Sequence, residues 1–389
     1  MKDYYVQFYF FSILIETHEY FNNGRNTRAS LICTLGGKRM RAAQIIETRK
    51  PLRIGNVPDP TPGPHDVIVK IEASGVCRSD WHAWMGDWTW LGLSPELPII
   101  PGHEMGGVVE VVGSEVKNFK AGDRVTTPFH EGCSHCPNCQ SGHSNRCDNL
   151  QIFGFGYDGA YAEYVKVPNG DFNLVKLPDE VDFVTAAAIG CRYMTGYHGV
   201  VRANLNPGNW LVVHGAGGVG LSSIQVGNAV GAQVIAVDVD DAKLEMARKE
   251  GAVATINARN ENVVEAVQQI TKGGAHASIE ALGIQETILN SVLSLRKGGR
   301  HVQIGLTTHN EAGVVGLPID AVTAQELEIV GSLGNPRTEY DGLLTLIAQG
   351  KLNPRSLVSR EIALDDVNDV LNDMTNFKTY GFNVITKFK

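Results

Sequence analysis

The spacing of apolar positions changes partway along the chain, and the change divides it into two kinds of architecture. From Met40 to Cys77, short β-rich runs alternate with Pro and Gly, which predicts an all-β start; HDVIVKIEAS (65–74) is its clearest strand. GHEMGGVVEVVGSEVKNFKAGDRVTT (102–127) supplies two more candidates, with Gly106 and Gly107 allowing close backbone passage, and residues 161–167 supply another. LPDEVDFVTAAAIGCRYMTGYHGVVRA (177–203) predicts a helix-rich link whose Asp179 and Asp182 favour its N-terminal side. Beyond it the pattern becomes strand, helix, strand: 210–214, an amphipathic helix, then QVIAVD (233–238). ATIN (254–257), ASIEALG (277–283), RHVQIGL (300–306) and LEIVGSLGN (327–335) continue it, separated by helical runs such as 261–272 and 285–298. Short apolar strands alternating with helices predict a doubly wound parallel sheet. Two further helices (339–351 and 364–376) precede a strand, FNVITKF (382–388), expected to rejoin the first domain.

The expected class is therefore α/β. A β-barrel-like catalytic domain is expected over 40–191 and 335–389, and a parallel-sheet nucleotide domain over 192–334. Residues 1–39 fit neither. Their apolar run VQFYFFSILI is too short to span a bilayer, has little positive charge before it, and is followed at once by acidic and polar residues without a clean cleavage site. They read as an extension upstream of a natural start at Met40, with an added strand or dimer contact as the alternative.

Composition narrows the function classes. A length of 389 residues suits two domains with full cores. A net charge of -8 with scattered basic residues gives no basic face for nucleic acid, and no apolar run reaches membrane length. The 43 glycines imply many tight turns and close backbone approaches. Of seven cysteines, six fall into two groups with ligand-like placement and only Cys33 is left over, which favours a reducing, cytoplasmic setting.

The first group is Cys133, Cys136, Cys139 and Cys147, spaced C-x2-C-x2-C-x7-C. Four thiols can close a tetrahedral structural zinc site with no vacant position. An iron–sulfur cluster is the rival, but ferredoxin-like runs use other spacings, and His135 and His143 read as solvated loop residues beside four thiols. The second group comprises Cys77, His103 and Glu104, with Cys191 as the missing donor further on. Mixed sulfur and nitrogen donors suit a catalytic zinc that keeps one position open. Ser79 and His82 follow Cys77 on the same segment and suggest a proton path, against the plainer reading of a cap on a helix beginning near Asp80 and an exposed imidazole.

Gly215-Ala-Gly217-Gly218-Val219-Gly220 has a strand before it, a helix after it and Asp238 at the end of the next strand. That context makes G-x-G-x-x-G a dinucleotide fingerprint: the glycines let backbone amides approach a pyrophosphate, and the acidic residue takes ribose hydroxyls and repels a 2′-phosphate, favouring NAD.

From Met40 onward, GVCRSDWH, GHE, the four-thiol segment, IGC followed by TGY, and GAGGVG with a later Asp occur in one order, and this order resembles the zinc-dependent alcohol dehydrogenases of the medium-chain dehydrogenase/reductase superfamily. The resemblance implies a GroES-like β-barrel domain beside a Rossmann domain, two zinc ions and NAD. It implies that Cys77, His103 and Cys191 bind catalytic zinc, with Glu104 as an alternate ligand and Asp80 orienting His103. Ser79 and His82 would carry a proton away while hydride passes to the nicotinamide. Arg78 would contact the pyrophosphate, Thr195 and Val219 would back the nicotinamide, and Lys243 would lie near the adenosine ribose. Trp84, Trp88 and Trp90 would narrow the substrate side and favour small or flat primary alcohols over branched ones, with core packing as the equal alternative for each. HAWMGDW is similar to the tetrameric microbial members, so a homo-oligomer, tetramer or dimer, is expected. The family's C-terminal Arg for the pyrophosphate has no clear counterpart in TYGFNVITKF. Rival readings are a polyol or secondary-alcohol dehydrogenase, whose members usually lack a Cys at the position of Cys191, a glutathione-adduct aldehyde oxidiser, and an inactive zinc-stabilised binding protein.

Overall fold

Two sheets carry the fold of residues 38–389, the range that the computed structural model describes; the apolar run of the N-terminal extension lies outside it. The first sheet has seven strands built around Val67–Val76, a strand with nine of ten residues buried or half-buried. Its order runs Val358–Ala363, Phe382–Lys387, Val67–Val76, Met105–Val112, Arg124–Thr126, Val175–Lys176, and Tyr164–Val167 also pairs with Val67–Val76. Register matters here more than strand count. Ser74 lies opposite Met105 and Val76 opposite Asn383, so the end of the central strand, just before Cys77, faces the start of the strand that follows Glu104.

The second sheet is parallel, in the order Ala252–Asn257, Gln233–Asp238, Trp210–His214, Ala275–Glu280, Leu295–Gln303, Glu328–Gly331. Its inner strands are buried along nearly their whole length because helices cover both faces, which is why they read as unbroken apolar runs rather than alternations. Trp210–His214 lies between strands whose connections leave in opposite directions. The crevice beyond its carboxyl end is therefore the topological switch point, where open α/β sheets bind ligands.

The structure departs from the sequence expectations in several places: the helical run expected over 285–298 ends at Leu293, and Leu295–Gln303 is strand, paired with Ala275–Glu280. The strand expected at 161–167 is confined to Tyr164–Val167, because Tyr161 is drawn toward the loop at Pro101 and its hydroxyl toward Asp80. Val358–Ala363 was not foreseen: it is an edge strand in which Ser359, Arg360 and Glu361 are exposed, so no apolar alternation marks it. Among the described residues no helix is long and apolar enough to cross a membrane.

Candidate metal centre and dinucleotide site

Cys77 directly follows the central strand and caps the helix Arg78–Met85, which begins two residues before the start expected at Asp80. Asp80 is the third residue of that helix and is 1% exposed. Its Oδ2 accepts from the Cys77 amide at 2.9 Å and the Tyr161 hydroxyl at 2.8 Å, and its Oδ1 accepts from the Gly102 amide and His103 Nδ1, both at 3.0 Å. One buried carboxylate thus fixes the cap, the loop before His103 and the imidazole together. With Nδ1–H committed to Asp80, Nε2 of His103 is the free lone pair, and it is buried with no hydrogen-bond partner.

That orphaned nitrogen shares a small volume with two thiols. Ligand atoms of Cys77, His103 and Cys191 all lie within 4.8 Å of one another. A buried imidazole nitrogen without a partner beside two thiols costs free energy unless something binds there, and this donor set fits a zinc ion with one position left for another ligand. The Cys191 thiol donates toward Cys77 and pulls its pKa well below the usual thiol range, while Cys191 itself is pushed up by that contact and by burial. The pair shares a proton that a cation would displace.

Cys191 reaches the site through an irregularity. Between the helices Phe183–Ala188 and Met194–Ala203 the chain makes a π-helical turn, Ile189–Tyr193, with Gly190 in a non-helical conformation. A wide turn of this kind re-aims side chains, and such turns gather at functional sites. Gly190 is required sterically, because a Cβ there would lie 2.5 Å from Glu104 Cβ.

Glu104 is buried but lies outside the three-donor cluster. Its Oε1 accepts from the Arg192 amide (2.9 Å) and Nε (3.0 Å), and its Oε2 accepts from Nη2 (2.5 Å). Ser79 Oγ is 3.7 Å from Cys77 Sγ. His82 stacks on Trp88 with ring centroids 4.3 Å apart, and its Nδ1 is 2.8 Å from Asp87 Oδ2. Burial lowers the His82 pKa despite Asp87, which leaves the ring neutral near pH 7 and able to accept a proton at Nε2.

Arg78, expected at the pyrophosphate, is half-buried. Its Nη1 donates to the Met374 carbonyl at 2.5 Å and its guanidinium covers the Trp81 ring at 3.7 Å, so the C-terminal helix holds it. Trp84 belongs to the first core, 7% exposed with its indole donating to the Lys50 carbonyl; a buried indole needs an acceptor, and a backbone carbonyl supplies it there. Trp88 and Trp90 are half-buried, Trp88 over His82 and Trp90 against Gly313.

At the second sheet, Gly215 has φ +93° and a Cβ at Gly220 would sit 1.7 Å from the Gly215 carbonyl oxygen, so the turn into the helix Gly218–Ala229 closes only with glycine. Around Gly217, by contrast, a Cβ would meet nothing within 4 Å: its backbone faces open space, as an approaching pyrophosphate requires. Asp238 ends its strand, with Oδ2 accepting from the Ala216 amide (2.8 Å) and Oδ1 from the Val239 (2.8 Å) and Asp240 (3.0 Å) amides. A carboxylate has about four acceptor sites, so one remains on Oδ2 for a ligand hydroxyl. Val219 is the second residue of the helix Gly218–Ala229, Lys243 lies in the helix Asp241–Lys249, and Thr195 is buried in the helix that packs through Gly196 against Val219, Ser222 and Ser223.

The four remaining cysteines gather as well: ligand atoms of Cys133, Cys136, Cys139 and Cys147 lie within 4.8 Å of one another. Cys133 Sγ accepts from the Cys136 amide, Cys136 Sγ from the Cys139 amide, and Cys147 Sγ from the Cys133 and Asn149 amides. Backbone N–H groups aimed at sulfur favour thiolate, and four thiolates fit a closed zinc site. His135 is exposed on the Cys133 carbonyl, and His143 is outside the cluster.

Tyr161, Asp87 and Arg192 were not found by sequence reasoning. Only Arg192 left a signal: a Glu beside a candidate ligand histidine needs a cation once buried, and Arg192 adjoins Cys191.

Comparison with known proteins completes the picture. Residues 63–179 match the family model of the alcohol dehydrogenase GroES-like domain, and residues 218–349 match that of the zinc-binding dehydrogenase. An alcohol dehydrogenase of Geobacillus stearothermophilus is 35% identical over 88% of this chain and 98% of its own length. An NAD-dependent alcohol dehydrogenase of Sulfurisphaera tokodaii is 36% identical, covering 89% and 99%. Among solved structures, an alcohol dehydrogenase from Thermus sp. ATN1 superposes with a TM-score of 0.83 at 30% identity, covering 90% of this chain and all of that one.

Proposed function

Because the chain belongs to the zinc-dependent alcohol dehydrogenases of the medium-chain superfamily, as an NAD-dependent alcohol oxidoreductase, we propose that Cys77, His103 and Cys191 form its catalytic metal site and Ser79 and His82 its proton path. The observation that carries the assignment is the buried, partnerless Nε2 of His103 beside two thiols. When bound, zinc supplies Lewis acidity toward an alcohol oxygen and NAD supplies the hydride acceptor.

The chain's own residues do the rest. Asp80 fixes the His103 tautomer so that Nε2 is available, and Tyr161 and the Cys77 and Gly102 amides fix Asp80. Ser79, beside Cys77, would pass the alcohol proton toward His82, whose depressed pKa keeps it neutral and receptive and whose ring Asp87 and Trp88 hold in place. The amides around Gly217 and Gly218, at the helix N-terminus, would take the pyrophosphate, and the free acceptor of Asp238 the adenosine ribose. Thr195 and Val219 would back the nicotinamide, with Lys243 near the ribose. Cys133, Cys136, Cys139 and Cys147 would hold a structural zinc. A primary alcohol and its aldehyde are the proposed substrate pair, with Trp88 narrowing the approach to His82. A homo-oligomer and a cytoplasmic setting complete the reading.

The test is NAD reduction against a panel of primary, secondary and aromatic alcohols, with zinc content measured on the same sample. Two zinc ions per chain are expected, with Cys77→Ser retaining one zinc and its fold but losing turnover. A Cys77→Ser protein that keeps both metals would overturn the site.

A further inference from the structure

We propose that Tyr380 is a positioning residue that latches residues 376–381 across the mouth of the cofactor crevice and so sets how fast a dinucleotide enters and leaves; the inference rests on the reading of the glycine turn and Asp238 as the dinucleotide site.

Residues 376–381 connect the helix Val367–Thr375 to the strand Phe382–Lys387, and both ends of this connection are tied down. At the start, the anchor is the helix that carries Ser79 and His82. Arg78 Nη1 donates to the Met374 carbonyl, Trp81 Nε1 donates to Thr375 Oγ1 at 2.8 Å, and the Arg78 guanidinium lies 3.7 Å from the Trp81 ring and 5.1 Å from that of Phe377. At the far end, Ser359 Oγ donates to the Tyr380 carbonyl, and a Cβ on Gly218, at the glycine turn, would lie 3.2 Å from the Phe382 ring. Gly381 has φ +61°, and a Cβ there would lie 2.5 Å from the Leu357 carbonyl oxygen, so only glycine lets the chain turn where the phenol leaves it.

Between these anchors the connection meets the second sheet through one side chain. The Tyr380 hydroxyl donates to Asp240 Oδ2 at 3.4 Å, and among the described residues no other side chain of 376–381 hydrogen-bonds to that sheet or its helices. Asp240 lies two residues beyond Asp238. Its other oxygen caps the helix Asp241–Lys249 by accepting from the Ala242 and Lys243 amides, so the acceptor is held in place. It also lines a cavity of about 400 Å³ together with Asn257 and Arg259, beside the carboxylate proposed to take the ribose. The connection thus runs from the proton-path helix, past the glycine turn, to the rim of the adenosine side. Its ends are fixed, yet its middle is held by one bond from a side chain that is 42% exposed. A single hydrogen bond open to water breaks at small cost, which makes this contact a latch and not a strut.

The test is stopped-flow fluorescence of NADH with the zinc-loaded full chain, mixing for association and displacement by excess NAD for dissociation. A latch must open for passage in either direction, so Tyr380→Phe is expected to raise both rate constants about threefold, with Kd changing by less than about twofold. A residue that only touched the ligand would alter dissociation alone, and a merely structural one would alter neither. Asp240→Ser keeps a cap for its helix but is too short to meet the phenol. It is expected to raise both rates as well, and adding Tyr380→Phe to it should change nothing further. Should Tyr380→Phe fail to fold, Asp240→Ser alone carries the test. Rates that stay the same, a rise in dissociation alone, or a full Tyr380→Phe effect on the Asp240→Ser background would overturn the latch. Failure of the dinucleotide reading looks different: NADH would not bind the unaltered protein, and the latch would fall with it.

Discussion

Replacing Asp80 by Asn removes one charge from the residue that organises the metal site, and the outcome can be worked out bond by bond. Four donors converge on the carboxylate, two per oxygen: Cys77 N–H and Tyr161 O–H on one, Gly102 N–H and His103 Nδ1–H on the other. An amide has one accepting and one donating end, so one pair of donors meets an N–H2 group. If that end faces Cys77 and Tyr161, the hydroxyl can rotate to accept but the Cys77 N–H is orphaned. If it faces Gly102 and His103, the Gly102 N–H is orphaned and the imidazole must switch tautomer, which protonates the nitrogen that would bind the metal. Either way a buried amide loses its partner, at about 1–3 kcal/mol, and the surviving bonds lose their charge assistance, for a total of about 2–5 kcal/mol of stability. Zinc affinity should fall by about 10- to 100-fold, the usual effect of losing the partner of a ligand histidine. Urea unfolding of the metal-free protein and chelator competition on the loaded one measure the two effects separately. An Asp80→Asn protein that holds zinc within twofold of the unaltered chain and unfolds at the same urea concentration would show that the hydrogen bonds do not organise the site.

Three further outcomes follow from the geometry. Gly220→Ala should abolish measurable NADH binding in fluorescence titration and lower stability by several kcal/mol, because a Cβ 1.7 Å from the Gly215 carbonyl forces the turn open. Cys139→Ser should release one of two zinc ions by metal analysis and lower the melting temperature, since one ligand fewer unties the segment held to Arg337, Thr338 and Leu333. His214, His130 and His301 are buried with pKa values pushed down to about 3, about 4 and about 4, so the unfolded chain binds protons that the folded one refuses. These three should therefore make stability fall as pH drops from 6.5 toward 4, by up to about 4 kcal/mol per pH unit together, against an opposite contribution from Glu131, which burial pushes up to about 7; calorimetry in buffers of different ionisation enthalpy should find that His214→Asn lowers proton uptake on unfolding at pH 5 by about one, and no change would refute it.

The fold was legible where the apolar period was strong. Gln233–Asp238 and Val67–Val76 announce themselves because each must bury both faces, whereas Val358–Ala363 is an exposed edge whose residues answer to solvent. The cysteine clusters were legible because thiols are scarce and their spacing is informative. Tyr161 and Asp87 were not: a tyrosine and an aspartate have many ordinary uses, and only register decides that one faces Asp80 and the other His82. Arg78, expected at the pyrophosphate, is half-buried and meets the Met374 carbonyl and the Trp81 ring, contacts that no spacing in the sequence announces. Trp84 was drawn into the first core for similar reasons of packing.

The π-helical turn bearing Cys191 also sets an order of events during synthesis. A nascent chain that has passed Glu104 carries two waiting donors and no third, since Cys191 emerges on the order of a hundred residues later, and ring closure across such a span is entropically slow to repay. If the proposed metal sites hold, capture of an ion at Cys77 should be a late event, whereas the four-cysteine cluster, drawn from a single short stretch, can be filled as it leaves the ribosome.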